Sequence, residues 1–190
     1  PEKSMEFFGP LWKNYTDRIQ KHWKDVVAPE DLVLIAGDIT WAMRLDAALI
    51  DLKWIDALPG TKAMIRGNHD YWWASNAKMQ QVMPSSIHYI QNNAWEWNGV
   101  AIGGSRLWHS DEYRFDSIIR SEENPRASKE EKPAREDSNE AEKIFVRELD
   151  RLRLSLNQLD PKARLRIAMT HYPPIGLDLA PSRASKILEE

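Results

Sequence analysis

Apolar residues occur along the chain in two patterns, as short uninterrupted runs and as longer stretches with helical spacing. The short runs predict strands at 32–36, 63–66, 87–90, 94–97, 100–102 and 165–170. The helical spacing predicts helices over 4–25 with an interruption at Gly9-Pro10, over 45–58 and 76–83, and from about residue 137 onwards. Strands that alternate with helices in this way predict a layered α/β fold.

Some details of this pattern are specific enough to be checked. The run at 32–36 is apolar throughout, which is typical of a strand with both faces buried. Asn98 and Gly99 predict a tight hairpin turn between the runs at 94–97 and 100–102. Asp137 and Glu140 are candidates for a capping box at the start of the last long helix.

The length of 190 residues suits one compact domain that spans 1–190. Residues 120–140 break the pattern, because charged residues crowd there, Pro125 and Pro133 interrupt helices, and apolar anchors are missing. We expect this segment to be a charged, mobile excursion within the domain and not a second domain. A lid over a pocket is the alternative, and a solvated surface loop is favoured over it.

Charge and composition narrow the range of functions. The 26 basic and 29 acidic residues give a net charge of −3, which disfavours nucleic acid as a partner. The chain has no cysteine, which excludes disulfides, thiolate metal sites and thiol nucleophiles. Because the sequence has neither an apolar run that could span a bilayer nor a signal-peptide pattern, we expect no membrane partner and a cytoplasmic location.

Candidate chemistry lies where three of the predicted strands end. The segments LVLIA-GD, AMIR-GNHD and RIAMT-HYPP each run from apolar residues into a side chain that can bind a metal, namely Asp38, Asn68 and His171. Ligands of open α/β sheets bind at the carboxyl ends of the strands, so neighbouring strands would bring these side chains together. A turn or a helix cap explains Asp38 or His171 taken singly, but Gly-Asn-His-Asp is an unusual way to build a turn.

The donor atoms suit a pair of divalent cations. A carboxylate such as Asp38 can bridge two metals about 3.5–4 Å apart. The oxygen of Asn68 and the imidazole of His171 are compatible with Mn, Fe, Zn or Ni. His69 is placed to donate to a developing negative oxygen or to protonate a leaving group, and Asp70 could hold the His69 ring in the required orientation.

These segments resemble the calcineurin-like metallophosphoesterases in Gly37-Asp38, in the GNHD motif at 67–70 and in the later His171. The pair of motifs GDITWA and RGNHDYWW is similar to a bacterial subgroup of phosphohydrolases. The resemblance covers residues 32–174 and implies a β-sandwich of two mixed sheets flanked by helices, in four layers, with the site at the strand ends. It also implies a phosphoester hydrolase, either a phosphatase or a phosphodiesterase.

The resemblance implies a role for each matching residue. Asp38 would bridge two metals, and Asn68 and His171 would bind the second of them. His69 would contact the phosphate or the leaving-group oxygen, with Asp70 as its partner. The implied mechanism is in-line attack on phosphorus by a hydroxide held at two divalent cations, among which manganese is favoured.

The sequence departs from the family pattern near its two ends. The opening Asp-x-His and the closing Gly-His-x-His of the family supply most ligands of the first metal, and neither occurs among the 190 residues. We therefore interpret the chain as trimmed at both ends. We expect this segment to hold at most one metal, weakly, whereas the intact parent would hold two.

Other residues near these motifs admit more than one role. Arg106 is a candidate for binding a substrate phosphate, because a planar guanidinium matches phosphate oxygens, and a solvated surface arginine is the simpler interpretation. Trp41, Trp72 and Trp73 adjoin the motifs. Packing of loops onto the core is favoured for most of them, and stacking on a substrate ring is the alternative.

Two further functions compete with hydrolysis of a phosphorylated small molecule or nucleotide. A catalytically silent scaffold on the same fold, like the retromer subunit that resembles these enzymes, would have lost site residues, yet Asp38, Asn68, His69, Asp70 and His171 are all present. A nuclease of the same superfamily would call for a basic groove, which the net negative charge disfavours.

Overall fold

The computed structural model describes residues 4–113, 115, 117–118 and 138–190, and it confirms the α/β class. Its strands are β1 (Leu32–Ile35), β2 (Thr61–Ile65), β3 (Ile87–Ile90), β4 (Trp95–Trp97), β5 (Val100–Ser105) and β6 (Leu165–Thr170). Its α-helices are α1 (Tyr15–Val26), α2 (Leu45–Asp56), α3 (Asn76–Val82), α4 (Ser138–Leu156) and α5 (Arg183–Glu189). Two short 3-10 turns, Met5–Phe8 and Pro10–Trp12, precede α1.

Within the described residues the strands form two three-stranded sheets. The first sheet has the order β1-β2-β3 and is parallel, with Leu34 opposite Ala63 and Ala63 opposite His88. The second has the order β4-β5-β6, in which β4 and β5 are antiparallel and β5 and β6 are parallel. The resemblance implied two mixed sheets, whereas only the second is mixed here. Helices α2 and α3 connect the strands of the first sheet, and such crossovers produce parallel pairing.

Strand β1 is less buried than its sequence suggests. Leu34 is 40% exposed, whereas Ala63, Met64 and Ile65 of the central strand β2 are buried. The prediction that the run at 32–36 has both faces buried is therefore wrong. In the described chain β1 pairs with β2 alone, so the doubly covered position belongs to β2.

Alternation of side chains along β2 places helices on one side of the first sheet and the second sheet on the other. Met64 packs with Leu52 of α2, whereas Ala63 and Ile65 pack with Ile102 of β5. Behind the second sheet, a separate cluster joins α4 and α5 through Phe145, Leu149, Leu152, Ala184 and Ile187. Helices, sheet, sheet and helices follow one another, which is compatible with the four-layer arrangement.

Of the local predictions, the hairpin turn is correct and the start of the first helix is not. The hairpin turn is confirmed, since Asn98 and Gly99 both have positive φ between the antiparallel β4 and β5. The helix predicted over 4–25 begins only at Tyr15, because the chain forms 3-10 turns on either side of Gly9. Residues 119–137, including most of the predicted excursion and Asp137 of the capping box, lie outside the described residues. Among the helices that the structure describes, none combines the length and apolar character needed to cross a membrane.

Candidate metal centre

The fold brings the three sequence-predicted donors to one place. Asp38 follows β1, Asn68 follows β2, and His171 follows β6 of the second sheet. The Nε2 atom of His171 lies 2.8 Å from Asn68 Oδ1 and 3.6 Å from Asp38 Oδ1. Loops of both sheets therefore contribute to a single cluster at the carboxyl ends of the strands.

The orientation of the His171 ring is set by its other nitrogen. Nδ1 lies 2.8 Å from the backbone oxygen of Ala36, at the end of β1. A carbonyl oxygen can only accept a hydrogen bond, so Nδ1 donates to it. In the neutral imidazole, Nε2 then carries the lone pair and faces the oxygens of Asp38 and Asn68.

This arrangement fits a divalent cation. A carboxylate oxygen, an amide oxygen and an imidazole lone pair face one another, and such acceptors repel unless a cation or a proton lies between them. Nitrogen and oxygen donors of this kind suit first-row transition metals. The described residues contain no group of three His, Cys, Asp or Glu side chains that could hold a metal ion; the third polar side chain of this cluster is the Asn68 amide.

Two glycines allow the loops after β1 and β2 to touch. Gly37 has a φ of +96°, and a Cβ atom there would lie 2.5 Å from the backbone nitrogen of Gly67. A Cβ atom on Gly67 would overlap the Asp38 carboxylate. Asp38 itself adopts the left-handed conformation, with a φ of 56°, and its Oδ1 accepts a hydrogen bond of 2.9 Å from the backbone nitrogen of His69.

The Asp70 carboxylate accepts hydrogen bonds from both of these loops. Asp70 is fully buried, and it accepts hydrogen bonds from the backbone nitrogens of Asp38 at 2.8 Å, Ile39 at 2.9 Å and Gly67 at 2.7 Å. The indole nitrogen of Trp72 donates to it as well, at 3.0 Å. Asp70 thus fixes the backbone that carries the donors.

The His69 ring has different neighbours from those expected. Its Nδ1 lies 3.3 Å from the Tyr71 hydroxyl, and its centroid lies 6.0 Å from the Tyr71 ring and 6.2 Å from the Trp41 ring. The described hydrogen bonds of Asp70 run to the backbone and to Trp72 instead. Sequence reasoning did not single out Tyr71, although its position two residues after His69 placed it within reach.

Arg106 lies in the loop after β5 and is largely buried, with 13% of its side chain exposed. Its Nε donates to Glu148 Oε1 of α4 at 3.0 Å, and its guanidinium lies 4.4 Å from the centroid of the Trp108 ring. The same oxygen of Glu148 accepts from Arg151 at 2.8 Å. Arg106 is therefore held against α4 and is not a solvated surface arginine.

The three tryptophans beside the motifs differ in their surroundings. Trp72 and Trp73 are 2% and 9% exposed and belong to the core cluster next to α2, which confirms the packing role for both. Trp41 is partly exposed and lies beside His69. Of the three, only Trp41 both adjoins the candidate centre and is partly exposed to solvent.

Polar side chains that converge at the strand ends of two stacked sheets, with a partly exposed histidine beside them, are compatible with a metal-dependent hydrolase. A family model described as calcineurin-like phosphoesterase matches residues 12–190. The chain belongs to this family, and it is accordingly a hydrolase that acts on phosphoester bonds. Neither the comparison with curated proteins nor the comparison with solved structures gave a significant match.

Proposed function

We propose that the intact protein hydrolyses phosphoesters of small molecules or nucleotides at a centre of two divalent cations, with manganese favoured. Asp38, Asn68 and His171 would be the ligands contributed by these 190 residues. The convergence of their donor atoms, with His171 Nε2 within 3.6 Å of both oxygens, carries the proposal. A carboxylate has two oxygens, so Asp38 is the residue that two cations could share.

When bound, such cations polarise a phosphoryl oxygen and lower the pKa of a water molecule. The reaction adds water to phosphorus, breaks the bond between phosphorus and the leaving-group oxygen, and releases an alcohol and a phosphate. The leaving-group oxygen must gain a proton as that bond breaks. His69 would supply this proton, because its backbone nitrogen donates a hydrogen bond to Asp38 and its ring is partly exposed beside the centre.

The contacts of His69 indicate which ring atom acts. Its Nδ1 faces the Tyr71 hydroxyl, which leaves Nε2 as the nitrogen for the substrate. We assign Asp70 to positioning, because it reaches the centre only through backbone nitrogens and Trp72. Arg106 stays a candidate phosphate ligand; its Nε is engaged by Glu148, so a phosphate would be bound by its terminal nitrogens.

A panel of phosphomonoesters and phosphodiesters assayed with Mn²⁺ tests the proposal. We expect His69→Ala to lower kcat by about 10²–10⁴-fold, the usual contribution of a general acid. Asp38→Asn should lower both hydrolysis and Mn²⁺ affinity in calorimetry, because it removes a charged ligand. Asp46→Asn, at an exposed carboxylate paired with Arg44, is the matched control and should behave like the wild type. Equal hydrolysis by all four proteins would refute the assigned roles.

A further inference from the structure

A row of aromatic side chains flanks His69. The Phe8 and Trp41 rings have centroids 5.9 Å apart, and Trp41 lies 6.2 Å from the His69 ring. Tyr71 lies on the other side of His69, at 6.0 Å. These three pairs meet edge to face, at angles between 63° and 80°. We call Phe8, Trp41 and Tyr71 the aromatic row.

Core packing does not account for the aromatic row. Phe8 is 56% exposed and Tyr71 is 50% exposed, whereas Trp72 and Trp73, which adjoin the same motif, are 2% and 9% exposed. Single exposed apolar residues are ordinary, but a contiguous exposed group is typical of a binding surface. This group adjoins the one histidine that the proposed reaction requires to face the substrate.

The position of the aromatic row relative to the polar cluster indicates which part of a substrate would lie against it. The phosphate would lie at the polar side, where Asp38, Asn68 and His171 converge. His69 would meet the oxygen that leaves. The organic group joined to that oxygen therefore extends from His69 towards Trp41 or Tyr71, where it finds aromatic edges and faces.

We propose that the aromatic row is the leaving-group subsite, and that the preferred substrates are phosphoesters whose leaving group carries a flat aromatic ring. This inference rests on the proposed function of the centre. Offset and edge-to-face ring contacts stabilise a complex by more than the burial of the same apolar area. Stacking of nucleobases on aromatic side chains contributes a similar or larger free energy. An aryl group and a nucleobase share this chemistry.

Two substrates with the same carbon skeleton, one with an aromatic ring and one with a saturated ring, provide the test. Benzyl phosphate and cyclohexylmethyl phosphate, with their methyl diesters, release primary alcohols of similar reactivity. We expect the wild type with Mn²⁺ to prefer the benzyl ester by about tenfold in kcat/KM, the effect of one ring contact. Trp41→Leu should abolish this preference by lowering kcat/KM for the benzyl ester to the value for the cyclohexylmethyl ester.

Two variants separate the ring contact from other effects. Tyr71→Phe keeps the ring and should keep the preference, whereas Tyr71→Leu should reduce it. Trp12→Leu is the matched control, because Trp12 is 40% exposed and pairs with Tyr15 outside the row. It should retain the wild-type preference. Comparing uridine 5′-monophosphate with ribose 5-phosphate shows whether a nucleobase can replace the aryl group.

Binding of non-hydrolysable compounds provides a second measurement. Calorimetry should show benzylphosphonate binding about tenfold more tightly than cyclohexylmethylphosphonate, with the difference lost in Trp41→Leu. Equal kcat/KM and equal affinity for the flat and saturated compounds would overturn the subsite and leave the proposed function standing. If none of the esters is hydrolysed, the proposed function fails, and the phosphonate affinities still decide whether the row binds flat rings.

Discussion

At the scale of single residues, Asp70 is a carboxylate with no exposed surface. A buried carboxylate is costly unless its oxygens accept hydrogen bonds. Asp70 accepts from four backbone nitrogens, those of Asp38, Ile39, Gly67 and, at 3.4 Å, Thr40, and from the Trp72 indole. Hydrogen bonds to an ionised acceptor are about twice as strong as neutral ones, so this set offsets the cost and holds Asp38 in its left-handed conformation.

We predict that Asp70→Asn lowers Mn²⁺ affinity by roughly 10–100-fold, as is typical when a group that orients a ligand is removed. The asparagine nitrogen is a donor, so it would face backbone donors and leave at least one of them unpaired. The free energy of unfolding should fall by about 1–3 kcal/mol. Calorimetry with Mn²⁺ and urea unfolding measure the two effects.

The control for Asp70→Asn is Asp160→Asn. Asp160 also accepts a hydrogen bond from a backbone nitrogen, that of Lys162 at 2.8 Å, but in an exposed turn. Its substitution should leave Mn²⁺ affinity unchanged. Wild-type affinity in Asp70→Asn would contradict the positioning role.

The sequence predicts which polar side chains converge better than it predicts which residues hold them in place. Asp38, Asn68 and His171 could be named because each ends an apolar run, which is a local signal. The hydrogen bonds of Asp70 depend on the close approach of two loops that Gly37 and Gly67 permit. That approach is a tertiary feature, so a pairing with the adjacent His69 was the natural expectation.

At the scale of elements, Glu148 connects α4 to the loop after β5. Its side chain is 3% exposed and pairs with Arg106 and Arg151, and its backbone oxygen accepts a hydrogen bond from Ser105 at 3.0 Å. Ser155, further along α4, accepts from the backbone nitrogen of Gly104 at 2.8 Å. The helix is therefore attached to β5 by polar contacts as well as by its apolar face.

We predict that Glu148→Ala lowers the free energy of unfolding by about 3–5 kcal/mol, because it leaves the buried Arg106 guanidinium without its partner. Asp150→Ala is the control on the same helix. Asp150 is 67% exposed and lies 3.8 Å from Arg153, so its loss should cost about 1 kcal/mol or less. Urea unfolding distinguishes the two, and equal losses would argue against the buried pair.

The elements themselves were predicted where local signals are strong. The stripe of α2, the run of β3 and the turn at Asn98-Gly99 each have their own pattern and were found. The prediction that β1 is buried on both faces is wrong, because an apolar run does not reveal how many neighbours its strand will have. The sequence predicts an interruption at Gly9-Pro10, whereas the 3-10 turns continue to Trp12 and α1 begins only at Tyr15.

At the scale of the whole molecule, His88 of the first sheet contacts the second sheet. Its ring stacks on Trp95 of the second sheet, with centroids 4.0 Å apart and an angle of 12° between the planes. Burial lowers the pKa of His88 from its ordinary value. The native state therefore favours the neutral ring more than the unfolded state does.

We predict that stability falls as the pH drops below about 6.5, the ordinary pKa of histidine. Between that value and the lower pKa of the folded state, the unfolded chain binds the proton and the folded chain does not. The contribution of His88 is complete above this window and is lost within it. Urea unfolding from neutral pH to about pH 5 should show a weaker pH dependence for His88→Phe than for the wild type. An identical pH dependence in both proteins would contradict the assignment.

The family could be anticipated from the sequence because its motifs are short and local. The aromatic row could not, since Phe8, Trp41 and His69 are far apart along the chain and meet only in the fold. The sequence allows stacking for Trp41, Trp72 and Trp73 alike, and the structure separates the partly exposed ring of Trp41 from the two buried rings. Polar residues at strand ends can be recognised from the local sequence, whereas the side chains that surround them are determined by tertiary packing.

The shared acceptor at Asp70 also has a consequence for motion. If the loop after β2 opens, the backbone nitrogens of Asp38 and Ile39 lose their acceptor together with that of Gly67. These amide hydrogens should therefore exchange with solvent deuterium in one opening event and at a common rate, although they belong to two loops separated by a helix. The two loops then behave as one cooperative unit in which neither can fluctuate independently of the other.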